Sequence, residues 1–270
     1  MMNDIFSVEK RIAIITGGMG QLGTQYAKTL LGHNAKVAVF DININKKNNY
    51  FVSQMNNRCL KLYRVDITKK SSIAQALIKT VKDLGKPSIL INNAALDVAP
   101  ALRSEASSAF EDYPERIWNK TLQVNLTGMF LACQVVGGYM AKNNGGSIIN
   151  ISSIYGNISP DQRIYKYRAK KGKPFFKPVS YAATKAGVIN LSRYLATYWA
   201  DKKVRVNTLS LGGVFNNQDK EFLKEYARRV PMARMAKEFE YNGAILFLAS
   251  DASSYMTGSN IIIDGGFTAW

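Results

Sequence analysis

Tyr181 and Lys185 are four positions apart in Ser180-Tyr181-Ala182-Ala183-Thr184-Lys185, a spacing that on a helix puts an ammonium one turn from a phenol on the same face. An unperturbed phenol titrates near about 10, too high for a general base at neutral pH, and a neighbouring cation favours the phenolate. The pair is therefore a candidate proton-transfer unit. The same spacing also describes a surface tyrosine beside a solvated lysine, so the choice rests on what surrounds it. A second candidate group, Ser152-Ser153, closes the strand-like run Ser147-Ile148-Ile149-Asn150-Ile151.

These side chains need elements to hold them. Residues 11–16 form a short apolar, β-branched run, followed at once by Gly17-Gly18-Met19-Gly20-Gln21-Leu22-Gly23 and then by helical spacing over 25–31. In that order glycines permit a tight turn and close backbone approach, and the helix start offers unpaired N–H groups to a pyrophosphate. A glycine-rich turn without a ligand is the alternative. The next strand, 36–40, ends in Asp41, 18 positions after Gly23, where a dinucleotide fold places the carboxylate that takes the adenosine ribose hydroxyls. A carboxylate there repels a 2′-phosphate and favours NAD over NADP, although Lys46 and Lys47 are near enough in sequence to weaken the preference.

Further strands are expected at 60–65, closing on Asp66-Ile67, at 88–91, running into Asn92-Asn93-Ala94-Ala95, and at 147–151, 205–210 and 260–264. Helices are expected over 71–84, capped by Ser71 or Ser72, and over 115–143, 180–201, 217–229 and 238–249. Apolar strands alternating with helices predict an α/β fold of Rossmann type: a doubly wound, parallel seven-stranded sheet with helices on both faces, in three α/β/α layers. Ligands of such sheets bind at the carboxyl ends of strands, so the loop after Thr16, Asp41, Asp66, Asn93 and Ser153 should border one crevice. Residues 96–114 read as irregular, and Asn125, amid apolar helix positions, must find partners for its amide.

The chain has 270 residues, 47% of them hydrophobic, with no composition break, solenoid repeat or low-complexity tract, so a single domain over 1–270 is expected. Residues 1–11 carry Asp4 and Glu9, and no eighteen consecutive apolar residues occur, so neither a secretory signal nor a membrane span is expected and the chain reads as cytoplasmic. Cys59 and Cys133 make no CxxC pair and His33 is the single histidine, which argues against a metal site or a disulfide framework. A net charge of +17 fits nucleic acid, an anionic membrane or an anionic substrate, yet most lysines are spread singly and no nucleic-acid module is present. The local exception is 154–180, where Arg163, Lys166, Arg168, Lys170, Lys171, Lys173 and Lys177 face only Asp161.

Taken in order, Thr16-Gly17-Gly18-Met19-Gly20-Gln21-Leu22-Gly23, Asp66, Asn92-Asn93-Ala94-Ala95, Asn125, Ser153, Tyr181 with Lys185, Arg205-Val206-Asn207 and Ile263-Asp264-Gly265-Gly266 resemble the motifs of the short-chain dehydrogenase/reductase family, single-domain branch, over essentially the whole chain. The resemblance implies hydride transfer between a nicotinamide cofactor and a polar secondary alcohol or ketone. It implies Tyr181 as general acid/base, Lys185 lowering its pKa and binding the nicotinamide ribose, Ser153 rather than Ser152 positioning the reacting oxygen, and Asn125 holding the water of a proton relay. The cofactor contacts it implies are Gly17, Gly20, Gln21, Leu22, Gly23, Asp41, Asp66, Ile67, Asn93, Ala94, Ala95 and Val214, with Tyr181 and Lys185. It also implies a homotetramer or dimer formed through the helices at 115–143 and 180–201. A catalytically silent dinucleotide-binding regulator or scaffold is the alternative, and the presence of all four catalytic-type residues argues against it.

The chain departs from the family pattern at Gln21, where the branch usually has glycine, at Ala95, at Leu211 in place of a proline, and at Asn216, where a threonine is common. The largest departure is that Ser153 and Tyr181 are 28 positions apart, roughly twice the family's common separation, so a basic, aromatic insertion occupies about 154–180. With Tyr165, Tyr167, Phe175 and Phe176 among its cations, it could cover the crevice and contact a phosphate, nucleotide or carboxylate, or be a solvated loop or subunit contact. Ile154-Tyr155-Gly156 and the terminal Gly266-Phe267-Thr268-Ala269-Trp270 are similar to dehydrogenases of bacterial surface-carbohydrate and flagellin-glycosylation pathways. That likeness implies carbohydrate biosynthesis and, as substrate, a sugar or nucleotide sugar with an anionic group.

Overall fold

The apolar, β-branched runs pair into one sheet in the computed structural model, which describes residues 4–44, 49–54, 57–98, 105–172 and 174–270. Lys46, Lys47 and Lys173 lie outside the described residues. The strands are β1 (Ile12–Thr16), β2 (Lys36–Asp41), β3 (Leu60–Arg64), β4 (Ile89–Asn92), β5 (Gly146–Ser153), β6 (Val204–Leu211) and β7 (Asn260–Ile263). All neighbours are parallel, in the order β3-β2-β1-β4-β5-β6-β7. This is the doubly wound sheet expected from the alternation of elements. After β3 the chain crosses to the other side of β1, and at that switch the carboxyl ends of β1 and β4 part to leave a crevice.

Side-chain parity builds the layers. Ile14, Phe40, Leu90, Ile148 and Val206 face one side, against α3 (Lys70–Asp83), the long helix α4 (Glu115–Ala141) and α6 (Val179–Tyr198). Ile15, Val39, Ile91, Ile149 and Leu209 face the other, against α1 (Gln21–Gly32) and α8 (Asn242–Ala249). Each such side chain contributes about 1.5–3 kcal/mol when fully buried, and parallel strands sandwiched this way have no solvent face on which to place a charge. The remaining helices are the short α2 (Asn49–Ser53), α5 (Lys166–Lys170) and α7 (Lys220–Ala227).

Helix α4 contains two π-helical turns, Gln123–Gly128 and Cys133–Gly137. Glycine ends each of them because something is pressed against it. A Cβ on Gly128 would lie 2.8 Å from Ile67 Cδ1, and one on Gly137 would lie 2.8 Å from the Trp199 ring. The first of these turns carries Asn125.

Several boundaries differ from expectation for local reasons. Ser71 and Ser72 do not cap α3, which starts at Lys70; Ser72 Oγ instead accepts the Asp66 N–H (3.1 Å), and Asp66 Oδ1 closes the preceding turn on the Thr68 N–H (3.0 Å). Helix α7 is held to Lys220–Ala227 by its cap, the Asp219 carboxylate accepting the Phe222 N–H. Helix α8 starts only at Asn242, since Glu240 receives the Lys237 N–H and both Arg234 amino groups and keeps 237–240 in a turn.

The segment over 154–180 is packed. It comprises 3-10 turns at Ile154–Gly156 and Gln162–Tyr165, then α5, then an extended approach to α6. Ile164, Tyr165 and Phe175 are buried with Phe222, Tyr226 and Phe267, and Tyr165 stacks on Phe222 at 5.8 Å between ring centroids. Tyr167 Oη donates to Asp219 (2.8 Å), Lys171 pairs with Glu221 (2.6 Å) and Arg229 with Asp161 (2.7 Å), so the segment and α7 form one roof over the carboxyl end of β5.

Candidate active site

Strand β5 delivers two serines to the crevice, and their bonds differ. Ser152 Oγ donates to the Lys185 carbonyl (2.8 Å), fixing β5 to α6, while Ser153 Oγ accepts the Tyr155 N–H (3.2 Å) and hydrogen-bonds the Tyr181 hydroxyl. Helix α6 brings Tyr181 and Lys185 to the same place by its i,i+4 register, with Lys185 Nζ 5.6 Å from the Tyr181 ring centroid. Ser153, Tyr181 and Lys185 line one cavity of about 360 Å³, together with Gln21, Leu22, Asn93, Ala95 and Val214 from the expected cofactor set.

The electrostatics of the pair are set by burial. Burial pushes the Tyr181 phenol well above its ordinary range, the Asp97 carboxylate pushes it further, and only the Ser153 hydroxyl pulls it down. Burial brings the Lys185 ammonium down to about 8, Lys177 adding to the fall and Asp97 opposing it. Lys185 Nζ donates to the Ile151 carbonyl (2.8 Å), which aims it along the floor of the cavity. At neutral pH it is still a cation, one helical turn from the phenol.

Asn125 is fully buried, and its amide is spent on the loop after β4: Oδ1 accepts the Leu96 N–H (2.7 Å) and Nδ2 donates to the Leu96 carbonyl (3.0 Å). Asn93 ties that loop to the glycine turn, with Nδ2 donating to the carbonyls of Thr16 (3.3 Å) and Gly17 (3.0 Å). Thr16 Oγ1 completes the seam by accepting the N–H groups of Asn93 and Ala94.

The glycine turn fits a dinucleotide. Gly17 has φ of +62°, and a Cβ there would lie 2.7 Å from Ala94 Cα; a Cβ on Gly23 would lie 2.5 Å from the Gly17 carbonyl oxygen. Only glycine lets these backbones approach, and Gly20 caps α1 with no side chain on its first-turn N–H groups, leaving them for an anion. Gln21 reaches across to the Phe215 carbonyl (2.8 Å), closing the cavity on that side. Asp41, at the end of β2, accepts the Met19 and Asn43 N–H groups, both at 3.0 Å, and so stands at the edge of the turn. The Asp66 carboxyl is held below its usual range chiefly by the Thr68 hydroxyl. The Ile67 side chain is in the core, which leaves its main chain as the part available to a cofactor. Among the described residues, no cluster of His, Cys, Asp and Glu is arranged to hold a metal ion.

Two lining residues had no signal of their own in the sequence. Asp97, in the loop after β4, accepts both its bonds to Lys177 Nζ (2.6 and 2.7 Å), and Lys177, just before α6, is buried 4.6 Å from the Tyr181 ring centroid. Lys177 was visible only as one cation among seven, and Pro178 between it and α6 hides its register with Tyr181. Tyr155, Tyr165, Phe222, Tyr226 and Met235 make the apolar walls.

A family model described as enoyl-(acyl carrier protein) reductase matches residues 19–268. The chain is 31% identical to an NAD-dependent glycerol dehydrogenase of Listeria innocua, over 97% of this chain and 96% of that protein. It is 30% identical to an NADP-dependent mannitol dehydrogenase of Alternaria alternata, over 98% and 95%. A solved short chain dehydrogenase from Leptospira borgpetersenii with bound NAD+ superposes with a TM-score of 0.85 at 32% identity, covering 99% of this chain and 96% of that one.

Proposed function

The chain belongs to the short-chain dehydrogenase/reductase family and is an NAD(P)-dependent oxidoreductase of alcohols, and from that premise we propose that it interconverts a neutral polyol and the matching ketose or hydroxyketone, with NAD as its cofactor. The observation that carries this reading is the meeting of Ser153, Tyr181 and Lys185 in one cavity at the carboxyl end of β5. When bound, the dinucleotide accepts or gives the hydride. The chain's own residues manage the oxygen and its proton. Ser153 Oγ hydrogen-bonds the reacting oxygen, and Tyr181 Oη takes the proton on oxidation and returns it on reduction. Lys185 favours the phenolate and lies where a ribose hydroxyl can be bound. The side chain of Asn125 is spent on Leu96, so the relay water falls to the main chain of its π turn.

The polyol class is supported by the polar lining, Asp97, Asn216 and Gln218 beside Ser153, and by relatives that act on glycerol and mannitol. An anionic group on the substrate, as in a sugar phosphate or nucleotide sugar, would have to draw Lys177 away from a carboxylate that already holds it twice. NADH formation across glycerol, threitol, arabinitol, mannitol, gluconate and a nucleotide sugar tests the choice. Turnover of neutral polyols is expected; turnover confined to the anionic compounds would replace this reading with a biosynthetic role on charged sugars.

Asp41 supports NAD over NADP, since a 2′-phosphate would meet its carboxylate. Asp41→Ala is expected to lower kcat/KM for NAD about 10–100-fold, the worth of a hydrogen bond to a charged group, and to leave NADP turnover unchanged or raised. A wild-type preference for NADP would sink the assignment. A homo-oligomer is supported by exposed aromatics on two helices, Phe130 on α4 and Tyr194 and Tyr198 on α6, the two tyrosines stacking at 6.0 Å. The unpaired thiols of Cys59 and Cys133 accord with a cytoplasmic setting.

A further inference from the structure

We propose that Asp97, held by Lys177, selects the substrate by accepting a hydrogen bond from a hydroxyl on the carbon next to the reacting one, so that the enzyme's preferred substrates are vicinal diols and their α-hydroxyketones. The inference rests on the alcohol-oxidoreductase reading above and assigns a recognition group within that site. Asp97 and Lys177 are 80 positions apart and come from opposite sides of the crevice, and both line the cavity that holds Tyr181.

The valences of the two groups show which one faces the substrate. Lys177 has a side chain only 8% exposed, and a buried ammonium must be paired. Of its three donors, two go to Asp97 Oδ1 and Oδ2, and the ammonium lies over the rings of Tyr181 (4.6 Å) and Tyr155 (5.8 Å). It has little left to offer an anion, so its work is to orient the carboxylate. Asp97 is different. Oδ1 takes Lys177 and the Val98 N–H (2.7 Å), but among the described residues Oδ2 takes Lys177 alone, and the side chain is 45% exposed. One acceptor position is therefore open, one hydrogen bond beyond a cation that touches the face of the proton-transfer tyrosine. A carboxylate accepts from O–H groups and repels carboxylates and phosphates.

A purely structural role for the pair is disfavoured by what already holds the loop. Asn125 takes both the N–H and the carbonyl of Leu96, and Asn93 ties the loop to the glycine turn. The loop after β4 is thus fastened on both sides of Ala95 without Asp97.

The test compares butane-2,3-diol with butan-2-ol, which differ by the one hydroxyl. Wild-type enzyme is expected to prefer the diol in kcat/KM by about 10–100-fold, the worth of one hydrogen bond to a charged group. Asp97→Leu combined with Lys177→Met removes acceptor and cation together, leaves no unpaired buried charge, and is expected to abolish the preference, with kcat/KM for the diol falling to that for butan-2-ol in the same variant. Asp97→Asn, which keeps a neutral acceptor, is expected to fall between the two. NAD affinity, read by quenching of intrinsic fluorescence, should be unchanged throughout. Equal losses on both alcohols, or a diol preference that survives in the double variant, would overturn the inference. Wild-type enzyme that oxidises butan-2-ol as well as the diol overturns it while leaving the oxidoreductase reading intact; turnover of neither, with any alcohol, overturns both.

Discussion

Tyr181→Phe is expected to lower kcat by about 10²–10⁴-fold, the usual contribution of a positioned general acid/base, with NAD affinity within about twofold of wild type. The separation follows from where the hydroxyl is. The ring of Tyr181 packs against the aromatic roof and beneath Lys177, and Phe retains both contacts. The oxygen faces the cavity and its hydrogen-bond partner Ser153, which lines the same cavity, where water or substrate can take the place of the phenol. Loss of turnover with the cofactor still bound would thus report on the proton alone. The measurement is steady-state NADH formation with a turned-over polyol, beside a binding titration. Activity within threefold of wild type would take proton transfer away from Tyr181, and a parallel loss of NAD binding would mark the change as structural.

How much of this site could be read from the chain depends on how local each part is. The glycine turn, Asp41 and the Tyr181–Lys185 pair are written within single elements, and strand parity and helix register carry them directly into the fold. Parallel strands wholly apolar in sequence could be placed in a buried sheet before any pairing was known. Ser152 and Ser153 are different: both end β5, and what separates them is a bond from Ser152 to the Lys185 carbonyl that no residue near them encodes. The π turns of α4 keep the same apolar pattern as an α-helix, so the bulge that presents Asn125 leaves no periodic mark. The segment over 154–180 shows neither period, because it is built of 3-10 turns, extended chain and α5, which at five residues is too short to repeat an apolar face. Its burial comes from Phe222 and Tyr226 on α7, a helix whose charged residues are what its sequence displays first. Asp97 and Lys177 are the extreme case, a contact across the crevice between two charged residues that composition places on the surface.

Lys185→Met is expected to lower kcat/KM at least about 100-fold while leaving the protein as stable as wild type or more so at pH 7. The activity loss follows from removing the one cation, aimed by the Ile151 carbonyl, that favours the phenolate from the floor of the cavity. Stability moves the other way because the charge is expensive where it stands. Burial brings Lys185 down to about 8 from an ordinary 10.5, so at pH 7 holding it as a cation costs roughly 3 kcal/mol relative to the unfolded chain. Methionine removes that cost, fills a similar volume, and leaves the Ile151 carbonyl short of one bond, a loss of about 1–3 kcal/mol. The net effect lies between neutral and stabilising. Its pH dependence has a definite sign. Between pH 8 and 10.5 the unfolded chain keeps a proton on this lysine that the folded chain releases, so wild-type stability rises through that window relative to a variant with no such group. Any advantage of the methionine variant in denaturant unfolding is therefore largest at or below pH 7 and shrinks as pH climbs from 8 towards 10.5. A variant markedly less stable than wild type at pH 7, with the deficit narrowing at high pH, would show that Lys185 is held for the fold and not for the proton transfer beside it.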